Sequence, residues 1–186
     1  MRINNKYRAT IEWFIAIVLI VLCLKYSIFS YGSFSPIKAH EQSERTSYYG
    51  PSEIVETIDL GGGKIYLCRY KQWFSADVVT RKITWNSGGG RGFPIDNSKQ
   101  ISYSWSSFRS KDYDNGMLLY GYVTDPEITT LLFEDKNKEK TLRYDLDENR
   151  MFVFYWNKDY NKNELKYLNG LDCNGKVIYE ENVFGF

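Results

Sequence analysis

Few residues in this chain have side chains suited to nucleophilic or metal chemistry. The sequence has a single histidine, His40, and three cysteines, Cys23, Cys68 and Cys173. A serine or cysteine nucleophile needs a histidine base beside it, and His40 lies in a polar stretch ahead of the main body of the chain. No Cys-x-x-Cys pair occurs in the sequence, so a zinc-binding spacing is missing. We therefore predict no catalytic residue, no metal ligand and no cofactor.

Two of the cysteines, Cys68 and Cys173, lie outside the apolar N-terminal segment. A disulfide between them would close a loop of about a hundred residues and stabilise the fold by about 3–5 kcal/mol, provided that the geometry allowed it. The alternative is two separate buried thiols. Sequence spacing does not decide between them, and we favour the separate thiols.

Carboxylates are the remaining route to catalysis, since acid–base hydrolysis needs only two Asp or Glu side chains close in space. From Gly50 onward the chain has 20 Asp and Glu against 18 Lys and Arg. Most of these charges are expected on solvated loops. Because acidic and basic residues nearly balance, this part of the chain lacks the excess of positive charge that is typical of nucleic-acid-binding domains. We therefore predict no nucleic-acid partner. A carboxylate-based hydrolase remains an alternative.

The most distinctive segment is residues 13–24, which have no polar side chain and are flanked by Glu12 and Lys25. Twelve residues in a helix extend ~18 Å, less than the ~30 Å of a hydrocarbon core. If Lys25 directs its amine toward the headgroups, residues 11–29 are long enough to span. The sequence therefore predicts a single transmembrane anchor at residues 11–29.

A cleaved signal peptide is the competing interpretation, because Arg2, Lys6 and Arg8 form a basic head before the apolar core. Only residues 28–30 offer a passable cleavage site, so we favour an uncleaved signal-anchor. Three basic residues precede the apolar core, and two, Lys25 and Lys38, follow it closely. This excess of one basic side chain predicts that the N-terminus is inside the cell and the remainder outside.

This division predicts four regions of the chain. They are a short basic cytoplasmic head (residues 1–10), the anchor (11–29), a polar juxtamembrane linker (30–50) and an extracytoplasmic β-rich domain (51–186).

One short helix is expected at the start of the domain, at residues 51–58. Ile54, Val55 and Ile58 would share one face of it, and Ser52 could cap its N-terminus. The glycine run at residues 88–90 is predicted to be a flexible connection between strands.

The clearest strand pattern is residues 101–106, in which Ile101, Tyr103 and Trp105 alternate with serines. We expect the aromatic side chains in the core and the serines in water. The alternative is an exposed aromatic platform for a glycan, formed by Tyr103, Trp105 and Trp156.

Further short strands follow at regular intervals, and turn residues separate them. Residues 151–156 are apolar on both faces, which is typical of a central buried strand. Asn174-Gly175 predicts a type I′ hairpin turn. The pattern indicates a mainly β fold: an antiparallel sheet, sandwich or roll, preceded by the transmembrane helix.

The order of these patterns resembles that of uncharacterised small membrane-anchored envelope proteins of Gram-positive, spore-forming bacteria. The segments that carry the resemblance are Pro51-Ser52-Glu53, Gly88-Gly89-Gly90, residues 120–128 and residues 172–178. The resemblance implies an N-terminal anchor and one β-rich extracytoplasmic domain. It implies no substrate and no catalytic residue. The chain departs from lipoprotein members in having Leu22, and no small residue, before Cys23.

Together these observations predict a single-pass protein of the cell membrane with a non-enzymatic, extracytoplasmic binding or interaction domain. Its partner would be an unknown protein or a component of the cell wall. A glycan-binding wall module and a carboxylate-based hydrolase are the alternatives.

Overall fold

Two α-helices and thirteen β-strands form from the residues that the computed structural model describes, which are 5–27, 32–157 and 165–183. The helices are α1 (Asn5–Ser27) and α2 (Pro36–Thr46). The strands are β1 (Gly32–Ser33), β2 (Glu53–Asp59), β3 (Gly63–Tyr70), β4 (Trp73–Arg81), β5 (Trp85–Gly89), β6 (Gly92–Pro94), β7 (Ile101–Ser110), β8 (Tyr113–Val123), β9 (Thr130–Glu134), β10 (Thr141–Asp145), β11 (Met151–Asn157), β12 (Tyr167–Leu171) and β13 (Val177–Asn182).

Within the described ranges the strands form three antiparallel sheets. Sheet A has the order β1-β5-β4-β3-β2, with β6 also paired to β4. Sheet B is β11-β8-β7, and sheet C is β10-β9-β12-β13. Because most partners are neighbours in sequence, the sheets are built mainly from hairpins. The prediction of a mainly β, antiparallel fold is confirmed.

Sheet B lies between the other two sheets, and its strands β8 and β11 are apolar on both faces. Leu118 and Tyr120 of β8 pack in one core with Phe74 of sheet A. Leu119, the residue between them, packs in a second core with Phe133 of sheet C. Successive side chains of a strand point to opposite faces, so β8 supplies both cores. Strand β11 is also buried on both faces, as its apolar sequence predicted, although it lies at the edge of sheet B.

The outer face of sheet A is covered by α2. Ala39 of α2 packs against Tyr66, Cys68 and Val79 in a third, smaller core. The polar linker expected at residues 30–50 is therefore part of the domain from Gly32 onward. Hydropathy concealed this helix because much of its buried surface is polar. It includes the side chains of His40 and Glu44.

The short helix expected at residues 51–58 is wrong, because this segment forms β2 and pairs with β3. Ile54, Val55, Thr57 and Ile58 are β-branched, and such side chains fit a pleated sheet better than a helix.

Helix α1 contains the segment Tyr7–Tyr26, whose mean hydropathy is 2.0 and of which no part is buried in the protein. The structure thus has a helix long and apolar enough to cross a membrane. A secretory signal sequence would have the same character. Residues 28 and 29 of the predicted span lie outside the described residues.

The hairpin predicted between β12 and β13 is confirmed, but its turn is not type I′. A type I′ turn needs positive φ at both central residues. Gly175 has a φ of 77°, whereas Asn174 is not in the positive region. The loop instead closes on the Asp172 carboxylate, which accepts hydrogen bonds from the backbone N–H groups of Asn174 and Lys176, each at 2.9 Å.

Candidate functional site

The chain's one histidine is buried between α2 and sheet A, in contact with two carboxylates and a thiol. His40 Nδ1–H donates to Asp77 Oδ2 at 2.7 Å. Its Nε2 lies 3.5 Å from Oε1 of Glu44 and 3.7 Å from Sγ of Cys68. We call His40, Glu44, Cys68 and Asp77 the histidine cluster.

Regular secondary structure places the four side chains of the cluster together. His40 and Glu44 are four residues apart on α2, so they lie one turn apart on the same face. In the β3–β4 ladder, Cys68 pairs with Ser75, two positions before Asp77. Cys68 and Asp77 therefore point to the same face of the sheet, the one that α2 covers.

A second set of polar contacts supports Asp77. Ser43 Oγ donates to Asp77 Oδ1 at 3.2 Å, and Ser87 Oγ donates to Ser43 Oγ at 3.0 Å. A Cβ at Gly90 would lie only 2.7 Å from Asp77 Oδ1. The glycine run at 88–90, predicted to be a flexible connection, thus ends strand β5 and leaves room for this carboxylate.

The electrostatics of the cluster favour a charged imidazole. Burial alone lowers the pKa of His40, but the hydrogen bonds to Asp77 and Cys68 outweigh it and raise the pKa to about 10. Burial raises the pKa of Asp77, and the hydrogen bonds from His40 and Ser43 oppose that shift. The His40 imidazole is therefore held in its protonated form at neutral pH and faces the side chain of Asp77.

The order Asp77–His40–Cys68 is that of a cysteine nucleophile with its base and its orienting acid. However, Cys68 is 0% exposed and belongs to the core beneath α2. No substrate reaches Sγ in this arrangement. The cluster is therefore suited to holding α2 on the sheet rather than to nucleophilic attack.

Sequence reasoning missed this cluster because it placed His40 outside the domain. One readable signal was present. Ser35 followed by Pro36 is a helix-start pattern, and Pro36 is indeed at the first position of α2. A helix beginning there puts His40 and Glu44 on one face. Nothing in the sequence indicates that Cys68 and Asp77 lie on the sheet directly beneath His40 and Glu44.

A groove of about 670 Å³ lies between α2, the turn after it and β2. We call it the α2 groove; its walls include Ile37, His40, Glu44, Tyr48, Tyr49 and Ser52. Ser52 closes one side, because both its backbone N–H and its hydroxyl donate to the Glu44 carboxylate. The histidine cluster thus reaches the surface through His40 and Glu44.

Tyr48 stands at the rim of the α2 groove in an unusual backbone conformation. It is 99% exposed, and its φ of 54° lies in the left-handed region that favours glycine. The N–H of Tyr49 donates to the carbonyl of Glu44, and that of Tyr48 to the carbonyl of Arg45. These two bonds are those of a Schellman motif, in which glycine is the usual residue at the position of Tyr48.

The three residues of the predicted aromatic platform are not gathered into one surface. Trp105 is 54% exposed, but the ring of Trp156 packs 5.2 Å from that of Phe133 in the core. Tyr103 is half-buried, and its pKa is raised to about 12 by burial and by its hydrogen bond with Glu181. Sheet C therefore covers part of the face on which the platform was expected.

The serines that alternate with these aromatics do not all face water. Ser102 is buried on the side of sheet A, where its Oγ accepts a hydrogen bond from the Asp96 N–H at 2.9 Å. The expectation of serines in water is wrong for this position, because sheet B has a neighbouring sheet on each face.

The two candidate disulfide partners are free and lie in different environments. Cys68 is buried in sheet A, and Cys173 is exposed in the turn between β12 and β13. Separate thiols, the favoured alternative, agree with the structure, but only Cys68 is buried. Among the residues that the structure describes, no group of three or more His, Cys, Asp or Glu could hold a metal ion.

The histidine cluster should make stability fall at alkaline pH. Since the pKa of His40 is raised from 6.5 to about 10 on folding, its contribution is fully present below pH 6.5 and is lost as the pH rises through 10. Denaturant unfolding of the full chain in detergent should therefore show a decreasing free energy of unfolding across this range. In His40→Gln, which cannot bind the proton, this part of the decrease should disappear.

Asp77→Asn provides the matched control, because it removes the charge of Asp77, whose hydrogen bond makes the largest contribution to raising the histidine pKa, and leaves Cys68 in place. It should flatten the same part of the profile as His40→Gln, and the double variant should be no flatter than either single one. Parallel pH profiles for wild type and His40→Gln would contradict the charged state of the cluster.

Known proteins offer no guide to the role of this site. Comparison of the chain with protein-family models, with curated proteins and with solved structures finds no match.

Proposed function

We propose that this protein is a membrane-anchored, non-enzymatic binding module whose extracytoplasmic β domain holds a ligand in the α2 groove. Helix α1 supplies the anchor, and the three-sheet body supports the groove. The partner would be a protein or a cell-wall component outside the membrane.

One observation carries the proposal, namely the exposed side chain of Tyr48 in a left-handed conformation. A non-glycine residue in that conformation costs about 1–2 kcal/mol. A side chain that is 99% exposed recovers none of this cost by packing within the domain. Local strain of this kind is concentrated at functional sites, and tyrosine is among the residues enriched at binding hot spots. Lys71 has a similar conformation but does not line the α2 groove, so it is the conformation of Tyr48 together with its place at the rim that makes it the proposed ligand contact.

The histidine cluster supports the same proposal by fixing the floor of the groove. The buried pair of His40 and Asp77 ties α2 to β4, and Glu44 ties α2 to Ser52 at the start of β2. Because these contacts fix the walls of the α2 groove before a ligand arrives, less conformational entropy is lost on binding.

The hydrolase alternative is weaker, although the groove contains two carboxylates. Glu44 is held by Ser52 and lies beside His40, while Glu41 lies 3.9 Å from the Arg45 guanidinium. Both acids already have partners within the chain. The aromatic glycan platform is weaker as well, because Trp156 packs in the core.

Replacement of Tyr48 by glycine should stabilise the domain while removing the proposed contact. Tyr48→Gly relieves the left-handed strain, so the free energy of unfolding should rise by about 1 kcal/mol. Lys71 has a similar φ of 55° and is exposed, so Lys71→Gly should be stabilised comparably. Denaturant titration of both variants in detergent measures the effect. A destabilised Tyr48→Gly would mean that the ring packs within the domain.

Site-specific photo-crosslinking in intact cells tests the groove as a binding site. A benzophenone amino acid in place of Tyr48 should give a discrete adduct, and the same group in place of Val177, exposed on β13, should not. The adduct should also be lost when a bulky residue replaces Ser52 in the groove. Equal adducts at both positions would contradict a specific site.

Cys173 allows the orientation to be tested in the native sequence. Cys68 is buried and Cys23 is in α1, so Cys173 is the exposed thiol of the domain. A membrane-impermeant maleimide added to intact cells should label wild type and leave Cys173→Ser unlabelled. The mass of the labelled protein should include residues 1–30. Labelling only after permeabilisation would place the domain inside, and loss of those residues would mean a cleaved signal.

A further inference from the structure

The connection between α1 and the β domain is short. Helix α1 ends at Ser27 and β1 begins at Gly32. An extended chain advances at most ~3.6 Å per residue, so Gly32 lies within about 18 Å of Ser27. With Tyr7–Tyr26 across a bilayer, β1 and its neighbours are therefore kept close to the lipid headgroups.

Exposed apolar side chains are concentrated where this connection, which we call the tether, joins the β domain. Phe34 is 76% exposed and follows β1 directly, and Ile37 is exposed in the first turn of α2. Ser33 pairs with Trp85, which places Phe34 beside the β4–β5 turn. That turn presents Ile83, which is 79% exposed.

Basic side chains surround these apolar ones. Lys38, Arg81 and Lys82 are all exposed. Residues 32–38 and 81–85 contain no acidic residue. Further along α2 the first acid is Glu41, which pairs with Arg45. We call the resulting surface the tether-side patch; it consists of Phe34, Lys38, Arg81, Lys82 and Ile83, and Ile37, which also lines the α2 groove, lies at its edge.

We propose that the tether-side patch docks on the anionic surface of the bilayer that holds α1. Apolar side chains would enter the headgroup boundary, and the cations beside them would bind lipid phosphates. This inference rests on the proposed membrane anchoring. The tether favours lipid over a protein partner, because it keeps the patch near a membrane whatever else is present. Docking would fix the direction in which the α2 groove faces.

The test uses the full chain in nanodiscs, with an environment-sensitive fluorophore at a single cysteine. In a Cys23→Ala, Cys173→Ser background, the label is placed at Ile83→Cys or, as the matched control, at Val177→Cys on β13. In discs containing phosphatidylglycerol, the label at 83 should be blue-shifted and quenched by lipid-borne quenchers, whereas the label at 177 should resemble the label in water. A label at 83 that is as hydrated as the label at 177 would overturn the proposal.

Charge removal tests the electrostatic part. Replacing Lys38, Arg81 and Lys82 together by Gln should lower the ratio of docked to undocked label, read from its fluorescence lifetimes, on the order of a hundredfold. The same three-Gln change at Lys136, Lys138 and Lys140 of the β9–β10 turn should leave the ratio unchanged. An equal effect of both triple variants, or none of the first, would contradict docking through the patch.

The outcomes separate this inference from the proposed function. A chain that does not enter nanodiscs at all refutes the membrane anchor. A chain that enters them with a hydrated label at 83 leaves the anchor in place and refutes docking alone.

Discussion

The buried contact between His40 and Asp77 is the interaction on which the outer part of the domain depends. An imidazolium and a carboxylate removed from water are tolerated only when each satisfies the other, and removing one partner of such a pair typically costs about 3–5 kcal/mol. In this protein the pair joins a helix with little apolar surface to the middle of a sheet. Without it, α2 would be held by Ala39 and by the hydrogen bonds of Ser43 and Glu44, and the floor of the α2 groove would be less firmly fixed.

The body of the domain depends on a different constraint, the double-faced packing of sheet B. Because sheets A and C cover it on opposite sides, β8 and β11 have no polar face. Two separate cores form on one set of strands, so the outer sheets are fixed relative to each other through the middle one. This arrangement gives α2 and its groove a rigid support at one end of the stack.

Much of the fold could be predicted from local sequence. Strand positions and hairpins follow from alternation and from turn residues, which act over a few neighbours, as at residues 101–106 and Asn174-Gly175. The long apolar helix α1 follows from composition alone. The way in which the three sheets pack on one another could not be predicted from local sequence. The burial of Ser102 and the exposure of Trp105 depend on how far each outer sheet extends over sheet B, which no local pattern records.

The candidate site was hidden for a related reason. Helix α2 is held by the polar contacts of His40 with Cys68 and Asp77, which lie 28 and 37 positions further along the chain. A search for regularly spaced apolar residues could therefore not reveal this helix. Residue types were misleading as well. A lone histidine in a polar stretch suggests a linker, and a glycine run suggests flexibility. Here the histidine is in the core and Gly90 allows close packing on Asp77.

The position of α2 in the chain has a mechanical consequence. It lies between α1 and every sheet strand after β1. With α1 as the proposed anchor, tension between the membrane and the domain would pass through β1 and α2 before it reached the three-sheet body. Strand β1 is only two residues long, and the contacts that hold α2 on the sheet are few: Ala39, the His40–Asp77 pair and the hydrogen bonds of Ser43 and Glu44. Force would therefore peel α2 from the sheet first, opening the groove while the body stayed folded. Occupancy of the groove would then depend on how strongly the domain is pulled away from its membrane.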